Sequence, residues 1–202
     1  MSQVKNVAIF GGTFDPIHFG HLLIAEQVIN EFDLSRIIFM PAGLPPHKTN
    51  RNLESGSHRY NMVKLAIDNN ENFILSGYEL KKQGKSYTAD TLRYFLKKES
   101  LNKIFFIIGA DSLLDIFNWK EPDFLLNNSE FIVARRPGYD IDFFFEDEKY
   151  KLYRDTIHIM ETLEVDFSST RIRKWIQNEK SIKYQLPDIV IKYIYNNSLY
   201  RS

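Results

Sequence analysis

The sequence predicts an α/β fold, a parallel β-sheet with helices on both faces, and three observations point to it. Six short apolar runs rich in β-branched and aromatic residues recur along the chain, at 4–10, 36–40, 73–76, 104–108, 131–134 and 157–160. Segments with apolar residues at helical spacing separate them, at roughly 19–32, 57–69, 88–98, 111–118 and 169–178, with a last one at 187–196. That alternation suits βα units, whose crossovers lay neighbouring strands parallel. No internal repeat or low-complexity linker interrupts it. One domain spanning 1–202 is expected, with 168–202 as a small C-terminal helical part.

Composition sets the outer limits. At 202 residues, 44% of them hydrophobic and 26% charged, the chain is long enough for a proper core. Lysine plus arginine and aspartate plus glutamate both number 26, so the formal net charge is zero. That argues against a polyanion-binding surface, and no nucleic-acid partner is expected. The absence of cysteine rules out disulfides, thiolate metal sites and cysteine nucleophiles. No apolar run reaches membrane-spanning length, and Gly11 cuts short the only apolar stretch near the N-terminus. A cytoplasmic protein without a membrane partner is expected.

The first run ends in Gly11-Gly12-Thr13-Phe14-Asp15-Pro16-Ile17-His18-Phe19-Gly20-His21 and leads into the helical pattern beginning near Leu22. The two glycines permit a tight turn and close approach of a ligand to the backbone. A strand, a glycine turn and a helix start make a ready phosphate site, because the first N–H groups of a helix are unpaired and carry partial positive charge. His18 and His21 add donors there.

Polar residues also gather after the later runs, where ligands of such sheets bind. After the second comes Pro41-Ala42-Gly43-Leu44-Pro45-Pro46-His47-Lys48, an ordered loop ending in two groups suited to an anion. After the third, Thr88 reads as the N-cap of the 88–98 helix, following Ser86-Tyr87. After the fourth, Gly109 allows close approach and Asp111 either receives ribose hydroxyls or caps its own helix. Trp119 follows near a helix end, as a core residue or a stacking platform. After the fifth stand Arg135 and Arg136, suited to bidentate anion contacts. The segment 139–155 mixes aromatics with acids and suggests no chemistry. It reads as an oligomer contact or a surface excursion. Finally Ser168-Ser169-Thr170-Arg171-Ile172-Arg173 opens a helix with three hydroxyls, a second anion site.

Taken together, GGTFDPIHFGH and SSTRIR resemble the signatures of the HxGH nucleotidyltransferase superfamily. The Pro-Pro-His-Lys loop, Tyr-Thr-x-Asp-Thr-Leu at 87–92 and Trp119 are similar to the bacterial nicotinate-mononucleotide adenylyltransferase family. Phe167 departs mildly, since the family usually places an aliphatic residue before the serines. The resemblance covers about 4–178 and implies a Rossmann-like fold and transfer of AMP from ATP to nicotinate mononucleotide, giving deamido-NAD and pyrophosphate. It implies Mg²⁺ bound mainly through ATP phosphates, with no dedicated protein metal site.

The resemblance also assigns roles. His18 and His21 are catalytic. Gly11, Gly12, Thr13, Phe14, His18, Gly20, His21, Gly109, Asp111, Ser168, Ser169, Thr170 and Arg173 bind ATP. His47, Lys48, Tyr87, Thr88, Trp119 and Arg135 bind the mononucleotide. Phosphopantetheine and nicotinamide-mononucleotide adenylyltransferases share the first motif. A homo-oligomer is compatible with all of this.

Overall fold

The computed structural model describes residues 6–43, 53–98, 103–135, 146–162 and 166–201. Six strands form one sheet: β1 (Val7–Gly12), β2 (Arg36–Pro41), β3 (Phe73–Leu75), β4 (Ile104–Gly109), β5 (Glu130–Ala134) and β6 (Ile157–Met160). They lie in the order β3-β2-β1-β4-β5-β6. Every neighbouring pair is parallel. The order reverses between β1 and β4, and sheets of this kind bind ligands beyond the carboxyl ends of the strands at such a reversal.

Nine helices connect the strands among the described residues: α1 (Phe19–Glu31), α2 (Gly56–Ile67), α3 (Tyr78–Lys81), α4 (Thr88–Lys98), α5 (Ala110–Leu114), α6 (Pro122–Asn128), α7 (Glu148–Lys151), α8 (Ser169–Gln177) and α9 (Asp188–Asn196). The expected helix at 111–118 is instead α5 followed by a 3₁₀ turn at Ile116–Asn118. Three short helices, α3, α6 and α7, stand where none was expected.

Because side chains alternate across a strand, the sheet feeds two cores. Ala8, Phe10, Ile37, Phe39, Phe105 and Ile107 face Ala25 and Val28 of α1, Met62 and Val63 of α2, Ile172 of α8 and Ile194 of α9. Val7, Ile9, Ile38, Met40, Phe106 and Val133 face Leu92 and Phe95 of α4, Leu113 of α5 and Leu125 of α6. Helices thus cover both faces of a Rossmann-like fold. The last two helices are part of the first core. No helix among the described residues is long and apolar enough to cross a membrane.

Candidate active site

The carboxyl end of β1 turns at Gly12, where a side chain would meet the Phe14 ring at 2.9–3.2 Å. Phe14 takes a φ of 50°, in the left-handed region. Such a conformation costs a non-glycine residue roughly 1–3 kcal/mol and persists only where the surroundings enforce it. What enforces it is packing. Phe14 is 2% exposed and meets Phe10, Phe39 and His21 edge-on or tilted. The ring of Phe14, a residue expected at the ATP site, is packed into the core.

His18 is the N-cap of α1, with extended backbone, and its N–H donates to Nδ1 of His21 at 3.2 Å. An imidazole accepting at Nδ1 carries its hydrogen on Nε2 when neutral. The two rings stack with centroids 3.7 Å apart. The Phe167 ring lies nearly parallel to His18 at 5.9 Å, extending the stack to a residue from just before α8. Gly20 has a steric reason to be glycine. A Cβ there would stand 2.9 Å from Phe167 Cβ and 3.1 Å from His18 Nδ1.

The two hydroxyl- and glycine-rich motifs meet. Ser169 Oγ donates to the Pro16 carbonyl at 2.9 Å, and Arg173 Nη1 donates to the Asp15 carbonyl at 2.6 Å. Arg173 Nη2 also donates to Thr170 Oγ1 at 3.3 Å. Ser168 caps α8, its Oγ accepting from the Arg171 N–H at 3.4 Å. From α2, Arg59 donates to the Thr13 carbonyl at 2.8 Å. The Asp15 carboxylate, 1% exposed, accepts from the Tyr200 hydroxyl at 2.6 Å.

Burial pushes the Asp15 carboxyl above the usual carboxylate range, against the pull of the Tyr200 hydroxyl and of Arg173. Burial and the Asp15 charge push the Tyr200 hydroxyl up. Burial lowers the Arg59 guanidinium from its ordinary value, and Asp15 partly restores it.

Beyond β3, α4 starts at Thr88, so its cap is Tyr87 rather than Thr88. The Tyr87 carbonyl accepts from the N–H groups of Asp90 and Thr91. Asp90, in the first turn, is held by Lys82 Nζ at 2.6 Å and Lys120 Nζ at 3.0 Å. The bond to Lys82 is the main reason its carboxyl lies below the usual range. Lys120 also lies 4.9 Å over the Tyr87 ring, tying the Trp119–Lys120 turn to the α4 start. Trp119 is half-buried against the second core. Glu79 of α3, whose carboxyl burial pushes up, accepts from Thr91 Oγ1 at 2.9 Å.

Gly109 and Asp111 stand together after β4. A Cβ on Gly109 would lie 2.5 Å from Asp111 Oδ1, so the glycine leaves room for the carboxylate to fold back over the start of α5. Arg135 follows the carboxyl end of β5 and donates to Glu161 at 2.8 Å. Gly11 is exposed and open. His47, Lys48 and Arg136 lie outside the described residues. Phe167 as a ring partner, Arg59, Glu79 and Tyr200 are among the contributors absent from the expectations. Only Phe167 had a visible signal, as a departure from the usual residue type beside the serines.

The chain is similar to known proteins over nearly its whole length. Residues 9–175 match the sequence profile of the family described as cytidylyltransferase-like. A Desulfitobacterium hafniense protein named probable nicotinate-nucleotide adenylyltransferase is 42% identical over 199 residues, covering 98% of this chain and 96% of its own. A Clostridium tetani protein of the same name is 41% identical over 200 residues, covering 98% and 100%. Among solved structures, Plasmodium falciparum nicotinic acid mononucleotide adenylyltransferase complexed with NaAD superposes with a TM-score of 0.79 at 26% identity, covering 97% of each chain.

Proposed function

The chain belongs to the cytidylyltransferase-like family, and from that premise we propose that it is a nicotinate-nucleotide adenylyltransferase, converting ATP and nicotinate mononucleotide to deamido-NAD and pyrophosphate. Beyond the relatives, one observation carries the reading. The loop after β1 and the start of α8 are bonded to each other at the carboxyl ends of the strands, through Ser169 to Pro16 and Arg173 to Asp15. The starts of α1 and α8, from opposite ends of the chain, are thereby held together, and two helix N-termini so joined suit a polyphosphate.

In the proposed reaction an oxygen of the mononucleotide phosphate attacks the α-phosphorus of ATP in line. The bond from that phosphorus to the bridging oxygen breaks, and pyrophosphate leaves with the electron pair. No covalent nucleophile takes part, so positioning and charge stabilisation carry the rate. His18 and His21, from the start of α1, hold the triphosphate and the charge that develops on it. Gly11, Gly12, Thr13 and Gly20 let the nucleotide approach the backbone. Ser168, Ser169, Thr170 and Arg173 hold the leaving pyrophosphate, Arg173 while latched to Asp15. Gly109 and Asp111 serve the ribose.

The mononucleotide lies toward α4. Trp119 stacks on the pyridine, and the N–H groups following Tyr87 and Thr88 receive its carboxylate. His47 and Lys48 serve the mononucleotide phosphate. Arg135, paired with Glu161, takes part only if that surface pair opens. Among the described residues no group of three histidine, aspartate or glutamate side chains is arranged to hold a metal. As the resemblance implies, Mg²⁺ enters with the ATP phosphates, whose charge it offsets. We place the reaction in the cytoplasm, within a single domain spanning 1–202.

The experiment is pyrophosphate release from ATP with nicotinate mononucleotide, nicotinamide mononucleotide or phosphopantetheine supplied in turn. The reading requires turnover with nicotinate mononucleotide above the other two. Turnover with phosphopantetheine alone, or with none of them, rejects it.

A further inference from the structure

The loop from Thr13 to Pro16 is gripped from three parts of the chain. Arg59, Arg173 and Ser169 each donate to one of its carbonyls. The fourth grip is of another kind, joining two side chains. The Tyr200 hydroxyl, from the segment after α9, donates to Asp15 Oδ1 at 2.6 Å, with Asp15 1% and Tyr200 8% exposed. A carboxylate this deep is costly to keep charged, and packing alone would be served better by an apolar residue. The proposed transfer uses neither side chain. Something else must retain the pair.

The contacts around it form a closed circuit. The Tyr200 N–H donates to Glu54 Oε1 at 3.3 Å, and the Glu54 carbonyl accepts from Arg59 Nε at 3.2 Å. Arg59 grips Thr13, and the circuit returns through the loop to Asp15 and Tyr200. Tyr200 itself holds a φ of 61°, in the left-handed region, and its hydroxyl approaches Met62 Sδ of α2 at 3.9 Å. Backbone in that conformation persists where the surroundings impose it. From Pro16 the chain runs through Ile17 straight into His18, so the loop's placement sets the stacked histidines.

We propose that Tyr200 is a positioning residue for adenylyl transfer, its hydroxyl acting through Asp15 to fix the loop that sets His18 and His21 at the start of α1. The proposal rests on the nucleotidyltransferase reading above for its kinetic consequence, but its structural consequence can be read without substrate. The hydroxyl locks a geometry already formed before substrate enters. Its loss lowers the fraction of enzyme in the productive arrangement and leaves the contacts that hold substrate in place. The rate falls and KM does not.

The test is Tyr200→Phe, which keeps the buried ring and removes only the donor. The chain has five histidines, so their ring signals in a histidine-labelled NMR spectrum can be assigned one by one. In the substrate-free variant the His18 and His21 signals should move, while those of His58 and His158, which lie on other contacts, stay in place. Turnover should show kcat lowered by about tenfold or more with KM for both substrates within about threefold. Asp15→Asn, which keeps the shape and weakens the bond, should give the same split, and the double variant should lose no more than the worse single one. Should Tyr200→Phe fail to fold, Asp15→Asn alone decides the matter by the same two readouts. Unmoved His18 and His21 signals, an unchanged kcat, or losses that multiply in the double variant would overturn the proposal. Absent turnover in the wild type would instead reject the enzymatic reading, with the ring signals still deciding whether Tyr200 positions the histidines.

Discussion

Arg173 donates to the carbonyl of Asp15 at 2.6 Å, joining residues 158 positions apart in the sequence. The guanidinium assigned to pyrophosphate is therefore already fixed to the loop that leads to the histidines. Its planar fork makes the double duty feasible, since Nη1 serves Asp15 while Nη2 reaches Thr170 Oγ1 at 3.3 Å. On the proposed reading, substrate meets a site already formed.

His18→Ala and His21→Ala should each reduce kcat far more than ATP affinity. Loss of one preorganised donor to a developing charge typically costs about 10²–10³ in rate. The two should differ in stability, because His21 Nδ1 also accepts the His18 N–H at the start of α1. Loss of a cap of this kind costs about 0.5–2 kcal/mol. Single-turnover rates and denaturant midpoints check both parts. Rates within about threefold of wild type in folded variants would remove the catalytic role.

Gly20→Ala should impair activity more than stability. The added methyl meets Phe167 Cβ at 2.9 Å and His18 Nδ1 at 3.1 Å, and the imidazole is the group with more freedom to move. Overpacking of this size costs roughly 1–3 kcal/mol when absorbed by a core. Here we expect it to be absorbed by displacement of His18, with kcat falling about 10²-fold, as misplacement of about an ångström produces. Phe167→Gly in the same chain should restore part of the rate. Equal rates for Gly20→Ala and wild type would show that the stack tolerates the shift.

The acid substrate should be preferred over the amide, with the start of α4 as a main reason. Nicotinate carries a carboxylate where nicotinamide carries a neutral amide. Free N–H groups with the helix dipole behind them favour an anion by roughly 0.3–1 kcal/mol, and a charge-assisted hydrogen bond adds about 1.5–3 kcal/mol against roughly 1 for a neutral one. Together these suggest ~2–4 kcal/mol, or about 30- to 1,000-fold in kcat/KM. The Lys82 and Lys120 clamp makes the site tolerant of the charge by neutralising Asp90. Since the backbone supplies most of the preference, Thr88→Ala should narrow it only slightly. Comparable kcat/KM for the two mononucleotides in the wild type would contradict this.

Asp15 should leave a mark on the pH dependence of stability. Its carboxyl is raised above the ordinary 3.8, chiefly by burial. Between 3.8 and the raised value, the folded chain holds a proton that the unfolded chain has released. The stability this contributes is fully present below the ordinary value and is lost as pH rises through the raised one. Asp15→Asn does not titrate. The stability of wild type relative to the variant should therefore decline as pH rises above about 4. Asp90, shifted the other way by Lys82, is common to both chains and cancels. Denaturant unfolding at stepped pH reads the difference. A flat or rising difference would contradict it.

Much of the fold was legible without coordinates. The strand at 157–160 and the helix at 88–98 have the bounds that their apolar patterns predict, and the other five strands differ from their runs by one to three residues at their ends. Each is long enough for the alternation or the helical spacing to repeat. The helices at Tyr78–Lys81, Pro122–Asn128 and Glu148–Lys151 are not, since 4 to 7 residues hold fewer than two turns. The Thr88 cap shifted by one residue for another reason: Thr88 carries the hydroxyl that marks a cap in the sequence, but the tertiary path makes the chain leave the helix at Tyr87, whose backbone carbonyl accepts the first helical N–H groups.

What the sequence by itself determined is the chemistry available after each strand: a glycine turn entering a helix with His18 and His21, and a hydroxyl-rich helix start at Ser168–Thr170. Those signals are legible because strand, turn and helix start are contiguous, and backbone geometry follows from the local residues. The tertiary structure decided which of these groups meet. It turned Phe14 inward, set Phe167 on His18, gave Arg135 to Glu161, and brought Arg59, Arg173 and Tyr200 onto one four-residue loop. Tyr200 shows the limit most plainly. A tyrosine after a C-terminal helix carries no local sign of its partner, because a hydrogen bond spanning 185 residues forms only where the packed core brings the two ends together.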